Sequence, residues 1–393
     1  MKVLINKSYL GKIIISIFVL LTVCFFTFIL LFLVAFSGNI HYVPLVISAA
    51  VILYIGYVLV IFDFFYKNSK RIKIFWGIAG IVLVASSVQP VYKWFDDRVP
   101  TVEAEVDIYQ YEPFTDKNRL VQLDKKPTLK LDEPLPKIDG ATALYPLYAA
   151  ITEHIYPEKE YNPYQSEVMV NQTHEAYTNL IFGNTDMIFA AGPSDAQINQ
   201  AKQRGITLHM TPIGKEAFVF FVNSKNNVSR LSLDQIKGIY AGEITNWSEV
   251  GGKDDAIRAF QRPQDSGSQT ALQRLMGDTP LMEAPTEDIA TGMGGIINEV
   301  SQYKNYKNAI GYTFRYYSNE MVKNKEIKLL EIDGVAPTRE TIRNDTYPIA
   351  SEFYIVTAGE PTGNVKKVVD WVLSEEGQAL VEKAGYVSLK SAD

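Results

Sequence analysis

The chain has 393 residues, 47% of them hydrophobic, and a formal net charge of -6; this length predicts roughly two to three structural units. Mild acidity without basic clusters argues against a nucleic-acid partner, which needs Lys and Arg to replace phosphate counterions. The single cysteine, Cys24, excludes internal disulfides and cysteine metal sites, and His41, His154, His174 and His209 lack metal-ligand spacing. No metal, cofactor or catalytic group is predicted.

The apolar residues crowd into the first hundred positions. Residues 13–36 form an almost unbroken apolar run without charge, long enough to cross a bilayer as a helix. A second run covers 42–62 and a third, shorter one, with Gly77 and Gly80, covers 72–88. Lys2, Lys7 and Lys12 precede the first run, and Lys67, Lys70, Arg71 and Lys73 lie between the second and third, whereas 37–41 carries no Lys or Arg. This asymmetry predicts a multi-pass cell-membrane anchor over 1–92, with a cytoplasmic N-terminus and everything after the third span outside. A lipoprotein signal ending at Leu21-Thr22-Val23-Cys24 is the rival reading. Val23 is not small, and the run continues past Cys24 to Phe36, so a cleaved signal fits poorly.

Residues 93–136 turn polar and contain Pro100, Pro113, Pro127, Pro134 and Pro136. They read as an extracytoplasmic tether with one short strand over 101–109. From Lys137 onward short apolar runs alternate with helical spacing. A strand end and turn at 137–142 leads to a helix over 144–155; a helix over 173–182 is followed by a strand over 186–191. A strong strand covers 217–222 and a helix 233–240. Such alternation predicts an α/β fold with mainly parallel sheets. About 255 residues is large for one core, so two lobes are expected. Ligands of open α/β sheets bind beyond the C-terminal strand ends.

One stretch stands out at such a place. An apolar run over 257–260 ends in Gln261-Arg262-Pro263-Gln264-Asp265-Ser266-Gly267-Ser268-Gln269-Thr270 and opens a helical segment. Arg262 sits four residues before Ser266-Gly267-Ser268, whose N–H groups would start a helix without intrahelical partners, at the positive end of its dipole. Hydroxyls, bare N–H groups and a guanidinium together suit a tetrahedral oxyanion. A serine N-cap beside a surface arginine is the plain alternative for this motif alone.

Several motifs carry a more specific resemblance. Asp139-Gly140-Ala141-Thr142-Ala143-Leu144-Tyr145-Pro146-Leu147 resembles the first ligand loop of the PstS-like phosphate-binding proteins that serve phosphate ABC importers. Gly214-Lys215-Glu216-Ala217-Phe218-Val219-Phe220-Phe221-Val222-Asn223 is similar to their strand crossing into the second lobe. Leu231-Ser232-Leu233-Asp234-Gln235-Ile236-Lys237-Gly238-Ile239-Tyr240-Ala241-Gly242-Glu243-Ile244-Thr245-Asn246-Trp247 is similar to their most recognisable helix and turn. The stretch 262–268 matches their arginine-loop-serine site, and Ala309-Ile310-Gly311-Tyr312 a late strand. The likeness runs in order over about 137–390 and leaves the three spans outside.

The resemblance implies a two-lobed type II periplasmic-binding-protein fold over 137–393, with lobe one over 137–212 and 347–393 and lobe two over 213–346. It implies a non-enzyme that captures inorganic phosphate or a related oxyanion for an ABC permease. The implied ligand contacts are Thr142, Ala143 and Thr173 from lobe one, and Arg262, Ser266, Gly267 and Ser268 from lobe two. One departure matters. The family usually has an aspartate after the strand over 186–190, where it accepts a hydrogen bond from protonated phosphate; this chain has Ala191-Gly192-Pro193. Asp265, Glu175 and His174 are the replacement candidates, and without one the site discriminates poorly against sulfate. A membrane-held anion sensor or assembly module is the alternative role. Asp265-Ser266-Gly267 faintly resembles a protease nucleophile loop, but Ser268 stands where glycine would follow, and no histidine has a supporting motif.

Overall fold

The computed structural model describes residues 7–96, 98, 106–283, 306–323 and 325–389, and the chain forms two compact units, Met1–Val99 and Pro100–Asp393.

The first unit is helical: α1 (Lys7–Phe36), α2 (Val43–Ile61), α3 (Ser69–Ser86) and α4 (Val88–Asp96). Three stretches, Tyr9–Phe36, Ile40–Ile61 and Ser69–Phe95, are long and apolar enough to cross a membrane. Phe18, Phe28, Ile81 and Val84 are each at least 70% exposed on these helices, an arrangement that water would penalise and lipid tolerates. Lys12 on α1 donates to Asp63 just past α2, which joins the two helices at one end of the hairpin. The third helix starts earlier than the apolar run, because Asn68 caps it by accepting from Arg71 N at 3.3 Å. The sequence expectation of an end near 88 coincides with a break at Ser87. Pro90 lacks an N–H there, so the ladder is interrupted before α4 continues.

The second unit contains, in chain order, β1 (Ile138–Gly140), α5 (Tyr145–Ile155), α6 (Gln172–Ile181), β2 (Met187–Ala190), α7 (Asp195–Gln203) and β3 (Leu208–Asn223). There follow β4 (Arg230–Leu231), α8 (Leu233–Ala241), β5 (Arg258–Ala259), α9 (Gly267–Met276), β6 (Ala309–Phe314), β7 (Ile327–Leu329) and β8 (Glu331–Ile332). The chain closes with α10 (Arg339–Arg343), β9 (Ala350–Ala358), α11 (Gly363–Leu373) and α12 (Glu375–Lys383).

The main sheet runs β1-β2-β9-β3-β6-β5, with β7 also on β3. Its centre corrects the expectation of mainly parallel sheets. Among the described residues of this sheet, β1–β2 and β5–β6 pair in parallel, while β2–β9, β9–β3, β3–β6 and β3–β7 are antiparallel. The reason is the long β3, which outlasts the apolar run at 217–222: its first part pairs with β9 and its last part with β6 and β7. β9 returns alongside in the opposite direction, so two antiparallel strands link the halves.

Each half has its own core. Ile138, Tyr148, Phe189, Ile213, Phe353 and Val381 share one cluster. Phe218, Phe220, Ile239, Trp247, Tyr312 and Ile332 share the other. The stretch 217–223 is fully buried, which fits a near-continuous apolar strand covered on both faces.

Residues 106–136, expected as a tether, are packed. Ile108, Tyr111, Leu131 and Leu135 join the first core. Glu153 on α5 accepts from Phe114 N, Asn118 Nδ2 and Gln122 Nε2 at 3.3, 2.6 and 2.7 Å. Leu131 N donates to Ile155 O at 2.8 Å. The strand expected over 101–109 lies partly outside the described residues, and its later part is instead a 3-10 turn, Ile108–Tyr111, begun by Asp107 accepting from Tyr109 N at 3.1 Å. Proline spacing and polarity hid these apolar anchors, which are too sparse to show a period.

Candidate functional site

Three loops carry the predicted contacts; the second is tied to the first through Asp139 and approaches the third through Thr173. The first follows β1. Gly140 is required there, since an added Cβ would lie 2.6 Å from Phe189 O and 2.9 Å from Tyr148 Cε1. The chain then makes the 3-10 turn Thr142–Leu144, which leads directly into α5. Thr142 and Ala143 are half-buried on this turn. Tyr386 OH donates to Ala143 O and fixes the turn from the C-terminal side.

The second loop opens α6. Asp139, at 0% exposure, binds it to the first. Its carboxylate accepts from Gly140 N (2.8 Å), Asn171 N (2.8 Å), Asn171 Nδ2 (3.0 Å) and Asn179 Nδ2 (2.9 Å). Burial pushes its pKa up, and those four bonds pull partly back. Gln172 is forced to φ +64°, a left-handed backbone, and the next residue, Thr173, is buried at the start of the helix.

The third is the arginine loop between β5 and α9. Arg262 N donates to Gln269 Oε1 and to Tyr312 OH, both at 2.9 Å, and Tyr312 OH in turn donates to Gln269 Oε1. Gln269 Nε2 reaches Gln261 Oε1 at 3.2 Å. Burial raises the Tyr312 pKa, with the Arg262 N–H and its charge opposing, so the phenol stays neutral and available to this network. Asp265 adopts φ +63°, and Ser266 caps α9 by accepting from Gln269 N at 3.3 Å. The cap uses an oxygen lone pair and leaves the Ser266 O–H to donate. In a helix start, the N–H groups of Gly267 and Ser268 have no intrahelical acceptor.

Among the predicted contacts the structure brings Thr173 and Gly267 together: an added Cβ on Gly267 would lie 3.0 Å from Thr173 Oγ1. The helix starts of α6 and α9 therefore face each other, one from each half. Thr173 and Ser266 each follow a residue with positive φ, Gln172 and Asp265 respectively. Of the candidate acceptors, His174 and Glu175 are exposed. Asp265 Oδ1 is bonded by Ser194 Oγ at 2.8 Å. Asp139 and Gln269 lie within the motifs but are not among the predicted contacts; an Asp-Gly pair at a strand end and a glutamine at the third helical position are weak signals.

A family profile described as a PBP superfamily domain matches residues 134–376. The chain belongs to the PstS-like phosphate-binding protein family. It is 30% identical over 259 residues to the phosphate-binding protein PstS of Bacillus subtilis, covering 64% of this chain and 79% of that protein. It is 24% identical over 268 residues to PstS of Borreliella burgdorferi, covering 66% of this chain and 92% of that protein. A Clostridium perfringens protein crystallised with bound phosphate aligns with TM-score 0.48 and 26% identity, covering 64% of this chain and 98% of that one. Family membership and the two separate cores make the domain a two-lobed type II binding-protein fold, and the three apolar helices precede the matched region.

Proposed function

We propose that this protein captures inorganic phosphate, or a similar tetrahedral oxyanion, between its lobes outside the membrane and delivers it to an ABC permease. The observation that supports this most is the approach of Thr173 to Gly267. It sets two helix N-termini, their hydroxyls and the loop of Arg262 around one seam, where N–H dipoles and a guanidinium favour an anion. Thr142 and Ala143 close the site from the first loop, and Ser266 and Ser268 add donors. Lobe one comprises 137–212 with 347–393 and the packed residues 106–136, and lobe two 213–346. Relatives named for phosphate binding support the ligand class.

Residues 1–92 act as the anchor, with the N-terminus cytoplasmic, in keeping with the Lys/Arg asymmetry and the three apolar helices. Calorimetric titration of the detergent-solubilised chain with phosphate, sulfate and arsenate tests the ligand; no heat with any of them overturns the reading. A reporter fused after Lys93 is expected to be active only if it works outside, and cytoplasmic activity there refutes the topology. Three spans exceed what an anchor needs, which favours a second reading, an anion sensor signalling through them. Loss of phosphate uptake on deletion of the gene separates transport from sensing.

A further inference from the structure

Two side chains of the lobe that carries the arginine loop grip the turn that follows β2 in the other lobe. Ser194 Oγ donates to Asp265 Oδ1 at 2.8 Å. Arg274, two turns along α9, donates from Nη2 to Pro193 O. Gly192 permits that approach, since an added Cβ would stand 3.0 and 3.1 Å from Arg274 Nη1 and Nη2. The turn is itself rigid. Ser194 caps α7, accepting from Gln197 N at 3.2 Å, while its own N donates to Gln197 Oε1 at 2.8 Å. Tyr177 OH holds Ala191 O at 2.7 Å. With the Ser194 oxygen committed to the cap, its proton is the part left for Asp265. Both gripping residues are chained to the anion site, because Asp265 directly precedes Ser266 and Arg274 lies on the helix that Ser266 caps.

We infer that Asp265 and Arg274 are positioning residues that clamp the lobes over the bound oxyanion and set how slowly it leaves, without touching it. The inference rests on the oxyanion reading above. An anion held between lobes leaves only when they part, and parting must break two hydrogen bonds to ionised groups, which are roughly twice as strong as neutral ones. The Thr173–Gly267 approach lies on the same seam, so separation also opens the site. In this arrangement the Asp265 carboxylate serves Ser194 and is not the acceptor for a protonated ligand oxygen.

The test uses the full chain in detergent with Cys24→Ser and spin labels at Gln203→Cys and Asp234→Cys, exposed positions on opposite lobes. Stopped-flow release of phosphate is expected to speed up about tenfold in Ser194→Ala and in Arg274→Met, and about a hundredfold in the double variant. Association should change little, and Ser194→Thr should restore slow release. Without phosphate, the label-to-label distance should lengthen or broaden in both single variants. Unchanged release and unchanged distances overturn the clamp. So does an Asp265→Asn variant that loses preference for phosphate over sulfate while Ser194→Ala releases at the parent rate. If the parent binds no phosphate, the ligand reading fails alone. The distances then still decide the clamp: broadening in Arg274→Met upholds it, and no change refutes it.

Discussion

Asp139 and Asn171 share two hydrogen bonds, backbone N–H to Oδ1 at 2.8 Å and Nδ2 to Oδ2 at 3.0 Å, which tie the end of β1 to the start of α6. Two of the three site loops therefore move as one body, and the aspartate at their junction is wholly buried. Asp139→Ala would leave Asn171, Asn179 and Gly140 donors without an acceptor. At about 1–3 kcal/mol for each unmatched buried group, a total loss of roughly 3 kcal/mol or more is expected in urea denaturation. A loss below about 1 kcal/mol would show that water replaces the carboxylate easily.

Gly267 is expected to be intolerant of a side chain. A methyl group 3.0 Å from Thr173 Oγ1 requires the threonine side chain or the helix starts to give by a few tenths of an ångström, and overpacking of this kind costs about 1–3 kcal/mol. Gly267→Ala should weaken anion binding about tenfold; Gly267 belongs to neither core, so the cost falls on closing the seam and the unfolding midpoint should stay close to the parent's. Adding Thr173→Ser, which keeps the hydroxyl but loses the β-branch that fixes its rotamer, should let the oxygen turn from the new methyl and recover part of the loss. Parent-like affinity in Gly267→Ala would mean the ligand does not sit at this seam.

Arg262 is the charged contact expected to matter most for the anion. Hydrogen bonds to charged groups contribute about 1.5–3 kcal/mol, so Arg262→Ala should weaken phosphate binding by roughly tenfold to over a hundredfold, with the fold intact. Because Asp265 is engaged by Ser194 and Glu175 is exposed, the preference for phosphate over sulfate should be modest. It should persist in Asp265→Asn and Glu175→Gln. A strong preference that collapses in either variant would assign that carboxylate to the ligand.

The strand joining the lobes carries a buried acid. Burial pushes the Glu216 carboxyl from its ordinary 4.5 up to about 7, against the opposing pull of the Ala217 and Tyr316 N–H groups and Arg315. Between those values the folded protein holds a proton that the unfolded chain releases, so stability must fall as pH rises through this window and level off above it. A shift of that size corresponds to something on the order of 3 kcal/mol. The thermal midpoint should therefore drop between pH 5 and 7, as measured by circular dichroism. In Glu216→Gln that slope should be much reduced, with a remainder of the same sign from Asp139, whose pKa burial also raises. An identical slope in parent and variant would place the proton elsewhere.

Much of this was legible in the chain because the causes are local. A helix expected over 173–182 is found as Gln172–Ile181, and one expected over 233–240 as Leu233–Ala241. Periodicity and the Ser232 capping box are encoded within a few residues. The apolar runs likewise marked the three long helices, and the serine of the arginine loop marked the start of α9.

What the sequence could not decide depends on partners far along the chain. Whether β3 pairs in parallel or antiparallel is settled by β9, which begins more than a hundred residues later. The packing of residues 106–136 depends on Glu153 and Ile155, and their few apolar anchors carry no period. Ser194 and Asp265 are 71 positions apart, and each has an ordinary local role, one as a helix cap and one as a turn residue. Local propensity chooses the elements because it acts over a few bonds. The facing of Thr173 and Gly267, and the use of Asp265 for a lobe contact, arise only when the two halves pack and desolvate those groups together.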